Sequence, residues 1–171
     1  MKRTIFLALA AVLIVSAAEA DTTIQTVPVF EAEGGPPGFA VGSRVGGASA
    51  TVYRNDDGIG VIIETKKLSE GVFTAWLFEC SGMSTDSCAP FLPPSFCSSD
   101  TAGDNKKVHL ACGISDTGTP GTGFSDSRNP FVVFILDHGP IDPDMIHLQL
   151  SVPMPPPTVP IQTVKVEAVD D

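Results

Sequence analysis

The chain has 171 residues, 43% of them hydrophobic, with 10 basic against 20 acidic side chains and a formal net charge of −10. An acid excess spread along the whole sequence argues against nucleic acid as a partner, because phosphate contacts need clustered Lys and Arg, and against adhesion to an anionic membrane. The length allows one domain with a proper core and is short for two.

The first twenty residues read as a signal peptide. Lys2 and Arg3 form a positive start, and Thr4 to Val15 is almost wholly apolar. Ala18-Glu19-Ala20 then places small residues where signal peptidase reads. The apolar run is far short of the roughly 20 residues that cross a bilayer, so cleavage after Ala20 is expected rather than a membrane anchor. No cysteine follows the cut, which argues against a lipoprotein. The expected organisation is a signal peptide over 1–20 and one domain over 21–171, secreted or periplasmic, with no membrane insertion after cleavage. Loss of Lys2, Arg3 and Glu19 leaves eight basic against nineteen acidic side chains, a charge of −11.

Beyond Ala20, frequent Gly and Pro separate short runs rich in Val, Ile, Thr and Phe. Residues 23–30, 48–55, 58–66, 71–80, 106–112, 130–137, 145–152 and 160–169 read as strands. No window of ten residues carries a helical apolar stripe. Asn55-Asp56-Asp57-Gly58 is a hairpin signal between two of the runs. Residues 131–136 are apolar on both faces and predict a central strand covered on both sides. Residues 145–152 alternate, with Ile146, Leu148, Leu150 and Val152 on one face. Trp76 shares a face with Val72, Phe78 and Cys80 and reads as a core anchor. The ends echo each other: Ile24-Gln25-Thr26-Val27-Pro28-Val29 matches Ile161-Gln162-Thr163-Val164-Lys165-Val166 at all but the fifth position, and Pro28 and Lys165 suit edge strands. The expected fold is therefore all-β, an antiparallel sandwich of about eight or nine short strands. Residues 81–105 and 113–129 read as long irregular connections, and Pro153 to Pro160 as a stiff connector.

Four cysteines, Cys80, Cys88, Cys97 and Cys112, in an oxidising compartment imply two disulfides with three possible connectivities. No CxxC pair is present, which disfavours a thioredoxin-type redox centre, and the spacings lack the paired knuckles of a structural zinc site.

Three pieces together resemble a family of exported bacterial proteins with no assigned function. Ala50 to Lys66 followed by Gly71-Val72-Phe73-Thr74-Ala75-Trp76 is similar to that family's hairpin and Gly-x-x-Thr-x-Trp strand. Cys88 and Cys97 stand eight residues apart in the loop that follows. Asp137-His138-Gly139-Pro140-Ile141-Asp142-Pro143, then Gln149, looks like its His-Gly-Pro turn. The resemblance covers roughly residues 48–152 and implies export and a β-sandwich, but no activity. The chain departs from the family by adding Cys80 and by its short region between Cys112 and Phe131. The resemblance also implies a Cys88–Cys97 disulfide, which leaves Cys80 for Cys112. A looser likeness to the sandwich of copper–zinc superoxide dismutases and chordin-type domains rests on architecture alone.

His109, His138 and His147 are the only histidines; with Asp137, Asp142 or Asp144 they are the candidate ligands of a zinc or copper ion, although no His-x-His spacing demands convergence. Asp142-Pro143-Asp144 lacks an EF-hand loop. Asp116-Thr117-Gly118 matches the aspartic-protease tripeptide, but that chemistry needs two carboxylates and no second copy exists. There is no Gly-x-Ser-x-Gly elbow and no phosphate-binding glycine loop. The expected function is thus a non-enzymatic binding or structural module with no assigned catalytic residue or cofactor. Its partner is an unidentified protein or small-molecule ligand, contacted through loops 81–105 and 113–129 and the turn 137–144. The alternatives are a zinc- or copper-binding oxidative-stress protein and a secreted hydrolase.

Overall fold

The computed structural model describes residues 22–33, 40–80, 84–85, 95–115, 126–145 and 159–169. The signal segment with Ala18 and Ala20, Cys88, Asp116-Thr117-Gly118, His147, Gln149, and all but the first residue of the expected strand 145–152 lie outside them.

Among the described residues eight strands run β1 Thr23–Glu33, β2 Ala40–Asn55, β3 Gly58–Lys66, β4 Gly71–Glu79, β5 Ser95–Ala102, β6 Lys107–Ser115, β7 Phe131–Asp137 and β8 Val159–Val166. All pairings are antiparallel, in one continuous sheet ordered β5-β4-β7-β8-β1-β2-β3-β6. The all-β expectation holds. In place of two separate sheets, the chain forms one sheet curled into a nearly closed barrel.

Alternation explains the core. Ala48, Ala50 and Val52 of β2, Ile59, Val61 and Ile63 of β3, and Val108, Leu110 and Cys112 of β6 are buried at every second position. They pack with Phe73, Ala75 and Leu77 of β4, Phe131, Val133 and Ile135 of β7, and Val164 and Val166 of β8. β4 and β7 are also buried on their other face. Cys80, Val132 and Phe134, with Phe78 and Leu136 against them, make a second, smaller apolar layer. This is why the run 131–136 is apolar at every position, and β7 sits between β4 and β8 as a central strand. Trp76 is buried, but it lies on this outer layer with Thr74 rather than in the main core. Its ring meets Phe96 edge-on, with centroids 5.1 Å apart.

Polar side chains plug the barrel near both ends. Arg54, at the end of β2, is buried and donates from Nη1 to the carbonyls of Ser127 (2.8 Å) and Asn129 (3.0 Å), and from Nη2 to that of Glu167 (2.8 Å). Its guanidinium lies 5.0 Å from the centroid of the Phe131 ring. Burial pulls its pKa down to about 10, opposed by the neighbouring Asp126 carboxylate. At the opposite end Thr65 donates to Gln162 Oε1, and Gln162 Nε2 donates to the Lys66 carbonyl at 3.0 Å.

The seam lies between the sheet's outermost strands, β5 and β6, where no backbone ladder forms. Side chains of β5 close it instead. Asp100 Oδ2 accepts from the His109 amide at 2.7 Å and Ser98 Oγ from the Ala111 amide at 2.8 Å. The Cys97–Cys112 disulfide joins the two strands covalently. These contacts correct two expectations. Residues 95–102, read as part of an irregular loop, are a strand. The pairings implied by the resemblance, Cys88 with Cys97 and Cys80 with Cys112, give way to Cys97–Cys112; Cys80 is also disulfide-bonded, to a partner outside the described residues. Strands opposed across a seam put Cys97 and Cys112 4.4 Å apart at Cα, within bridging range.

The echoing terminal strands pair with each other through Val29↔Val164, Phe30↔Thr163 and Glu31↔Gln162. Neither is an edge: β1 lies between β8 and β2, and β8 between β7 and β1. Pro28 is accommodated because the β1–β8 ladder stops at Val29 and the β1–β2 register shifts after Pro28.

Candidate functional site

The Gly71–Trp76 strand and the turn that follows Asp137 meet at the end of the barrel where β4 begins and β7 ends. The turn after β7 folds across the start of β4: His138 donates its amide to the Val72 carbonyl (2.9 Å) and Val72 donates its own to the Gly139 carbonyl (3.0 Å). Gly139 takes a left-handed φ of 77°. A Cβ on Gly71 would lie 2.9 Å from the Gly139 carbonyl carbon and closer still to its oxygen, so only glycine admits this crossing.

From there a polar chain runs outward along one face of β4. Trp76 Nε1 donates to Thr74 Oγ1 at 2.9 Å, and Thr74 Oγ1 lies 2.7 Å from His138 Nε2. Indole N–H can only donate, so Thr74 accepts from it, and the bond between Thr74 Oγ1 and His138 Nε2 takes its direction from the imidazole tautomer. Burial pushes the His138 pKa below its ordinary value, against the raising influence of Asp137. Asp137 serves the same turn, accepting from the Gly139 amide at 2.7 Å and from Ser69 Oγ at 2.9 Å. Ser69, Asp137 and His138 are thus neighbours without forming a nucleophile–base–acid relay. The serine bonds the carboxylate, and the histidine bonds Thr74. The cluster locks the turn to the strand.

The candidate metal ligands are held apart in role. His109 points outward from β6, 70% exposed at its side chain, with Nδ1 3.9 Å from Glu64 Oε1. His138 is engaged with Thr74. Asp142 Oδ1 accepts from the Asp144 amide, a turn bond. Among the described residues no group of three His, Cys, Asp or Glu side chains is placed to hold a metal ion.

The expected contact loops are also altered. Within 81–105, Thr85 is tied through its amide and hydroxyl to the Glu167 carboxylate, and 95–102 is β5. Within 113–129, residues 113–115 continue β6 and Asp126 to Asn129 form the turn that Arg54 and Arg128 hold. The Arg128 guanidinium and amide keep the Asp126 carboxyl below its usual range.

A surface that sequence reasoning missed lies on the outside of β1, β2, β3 and β6. The registers place Ile24, Tyr53, Gly60 and Gly113 in one transverse row, and Thr26, Thr51, Ile62 and Ala111 in the next. Ile24 is 61% exposed, Tyr53 37% and Ile62 47%. Around the hairpin end of this face, Tyr53, Gly60, Gly113 and Ser115 help line a groove of about 300 Å³. Neither glycine is demanded by its backbone or neighbours. A Cβ on Gly113 would meet nothing within 4 Å, and one on Gly60 would make only ordinary contact with Tyr53 at 3.7 Å. The alternation in β3 held part of this signal: Ile62, on the outward parity between Gly60 and Glu64, is an apolar residue on the wet face.

Comparison with protein-family models, with curated proteins and with solved structures finds no match.

Proposed function

We propose that the chain is an exported, non-enzymatic module of the bacterial envelope or exterior, related to the uncharacterised exported family it resembles. Its curled sheet is read as a flattened barrel whose halves pack as a sandwich, and the outer face of β1, β2, β3 and β6 is its contact surface. The observation that carries this reading is the asymmetry between the two outer faces. Over β4 and β7 the outer apolar residues Val132 and Phe134 are buried. On β1, β2 and β3, Ile24, Tyr53 and Ile62 stand in solvent on adjacent strands. Adjacent exposed apolar side chains mark interaction sites more often than isolated ones do. Strand-interior glycines without a conformational need fit a place where another molecule approaches the backbone. Disulfide bonding of Cys80, Cys97 and Cys112 supports export, because disulfides persist in oxidising compartments.

Tyr53 is the chain's sole tyrosine, which makes a direct test available. Tyrosine-selective labelling of intact expressing cells is compared with labelling of the purified protein, both read by mass spectrometry on a mature chain that starts at Asp21. Protection of Tyr53 in cells, lost in an Ile24→Ser/Ile62→Ser variant that is still exported, supports the reading. Equal labelling in cells and in isolation sinks the assignment of this face.

A further inference from the structure

The fold gathers what the sequence scatters. Of the eight basic side chains after Ala20, four are lysines in two distant doublets, Lys66-Lys67 and Lys106-Lys107. The β3–β6 ladder sets Lys66 directly opposite Lys107, and the Leu68 amide bonds the Lys106 carbonyl at 3.3 Å, joining the two turns. The four lysines therefore share one end of β3 and β6 in a chain of net charge −10, with the Lys66 ammonium lying over Gly47 of β2. The carboxylates on the same turns are Glu70 and Asp104, with Glu64 one step along the outer face. None of the four lysines forms an ion pair among the described residues.

Two independent features count against this being an incidental surface. Like charges directly opposite on a ladder repel, yet Lys66 and Lys107 occupy such a pair. Among the described residues, Lys67 (φ 64°) and Lys106 (φ 54°) are the two non-glycine residues in the left-handed region. Such positions suit Gly or Asn and carry a conformational cost for a lysine. Both the register and the backbone thus accept a penalty where four lysines share adjoining turns. An observed backbone outlier of this kind is a proper starting point for a functional hypothesis.

We propose that Lys66, Lys67, Lys106 and Lys107 form a binding site for a phosphate-bearing ligand with two or more negative charges. The ammonium is a compact point charge with three donors, and four of them on adjoining turns match a multivalent phosphate better than a single carboxylate. Such a group comes from a soluble oligophosphate or from an anionic lipid headgroup. The site is separate from the apolar face around Tyr53, and neither assignment depends on the other.

The test uses the mature, disulfide-bonded chain at low salt, with two probes: inorganic pyrophosphate by calorimetry, and cardiolipin–phosphatidylcholine vesicles against phosphatidylcholine alone by co-sedimentation. The key variant is Lys67→Asn/Lys106→Asn, which removes two charges while supplying a residue that tolerates the left-handed conformation. Its melting temperature should match or exceed the parent's, so weakened binding cannot be ascribed to unfolding. At least tenfold weaker binding is expected in this variant, and again in Lys66→Gln/Lys107→Gln. Pyrophosphate binding alone identifies a soluble ligand, and vesicle binding alone a headgroup; either supports the site. Failure of both probes, unchanged affinity in the asparagine variant, or equally tight binding of citrate overturns it.

Discussion

Gly71 and Gly139 meet where the turn after β7 crosses the first residues of β4, and the space between them excludes even a methyl group. The crossing is fixed by the two Val72 backbone bonds on either side of that contact. Gly71→Ala should therefore push the turn off the strand and cost about 2–3 kcal/mol, the range for overpacking against backbone. Gly113→Ala is the matched control: it meets open space in a strand interior and should be neutral or mildly stabilising. Urea denaturation of both variants checks the pair, and equal effects would remove steric exclusion as the role of Gly71.

Thr74 is the middle of the chain from Trp76 to His138. Thr74→Val keeps the shape and deletes the hydroxyl, so the buried Trp76 N–H loses its acceptor and His138 Nε2 loses its partner. An unsatisfied buried donor costs about 1–3 kcal/mol. The expected signature is a loss of stability in this range with a shifted indole N–H resonance in the NMR spectrum. Thr74→Ser, which restores the hydroxyl, should recover most of it.

The burial of His138 makes stability depend on pH. Burial lowers the His138 pKa from its ordinary 6.5 in the folded chain, so below that pH the unfolded state binds more protons than the native state. Stability is then complete above about 6.5 and falls as pH drops toward the folded pKa. Denaturation midpoints measured between pH 7.5 and 5 should decline on the acid side. In His138→Gln that decline should flatten, and an unchanged slope would show that other groups carry it.

Much of the frame was legible because each strand advertises its environment. β7 reads as doubly covered because Phe131 to Ile135 are apolar at every position, and β3 reads as half-covered because Ile59, Val61 and Ile63 alternate with outward residues. The Asn55–Gly58 hairpin is legible from its Asp-Gly, and the Asn55 side chain accepts the Asp57 and Gly58 amides. β5 was not legible. Ser95-Phe96-Cys97-Ser98-Ser99-Asp100 has the composition of a loop, and it becomes a strand by pairing with β4 and by lending Ser98 and Asp100 to the bare edge of β6. Closure of the sheet and the disulfide pairing were hidden for the same reason, since both depend on which edges meet. The motif residues Thr74 and His138 were visible as a pattern, but their mutual bond is a tertiary fact. So is the meeting of the two lysine doublets, which depends on the β3–β6 register.

Removal of the Cys97–Cys112 bridge tests the seam. The cysteines are 15 apart in sequence, a separation for which loop-closure entropy contributes about 3 kcal/mol. Cys97→Ala/Cys112→Ala should lose stability of that order. Because side-chain bonds are all that remain between β5 and β6, amide exchange should quicken first at residues 95–102 and 107–115. Uniform quickening across the sheet would mean that the bridge supports global stability without guarding the seam.

Arg54 offers the sharpest separation of packing from polarity. Its guanidinium is held by three backbone carbonyls and, among the described residues, by no carboxylate, and burial draws its pKa down to about 10. Arg54→Ala opens a cavity over Phe131 and strands the carbonyls of Ser127, Asn129 and Glu167; about 3 kcal/mol or more should be lost. Arg54→Met fills most of the same volume and relieves the cost of burying a charge, so about half of that loss should return. Amide exchange at Cys80 and Val169, which bond the Pro130 and Arg128 carbonyls of the turn that Arg54 holds, should rise in both variants and more in alanine. If methionine is as damaging as alanine, the polar fork rather than the filled volume holds this end of the barrel together.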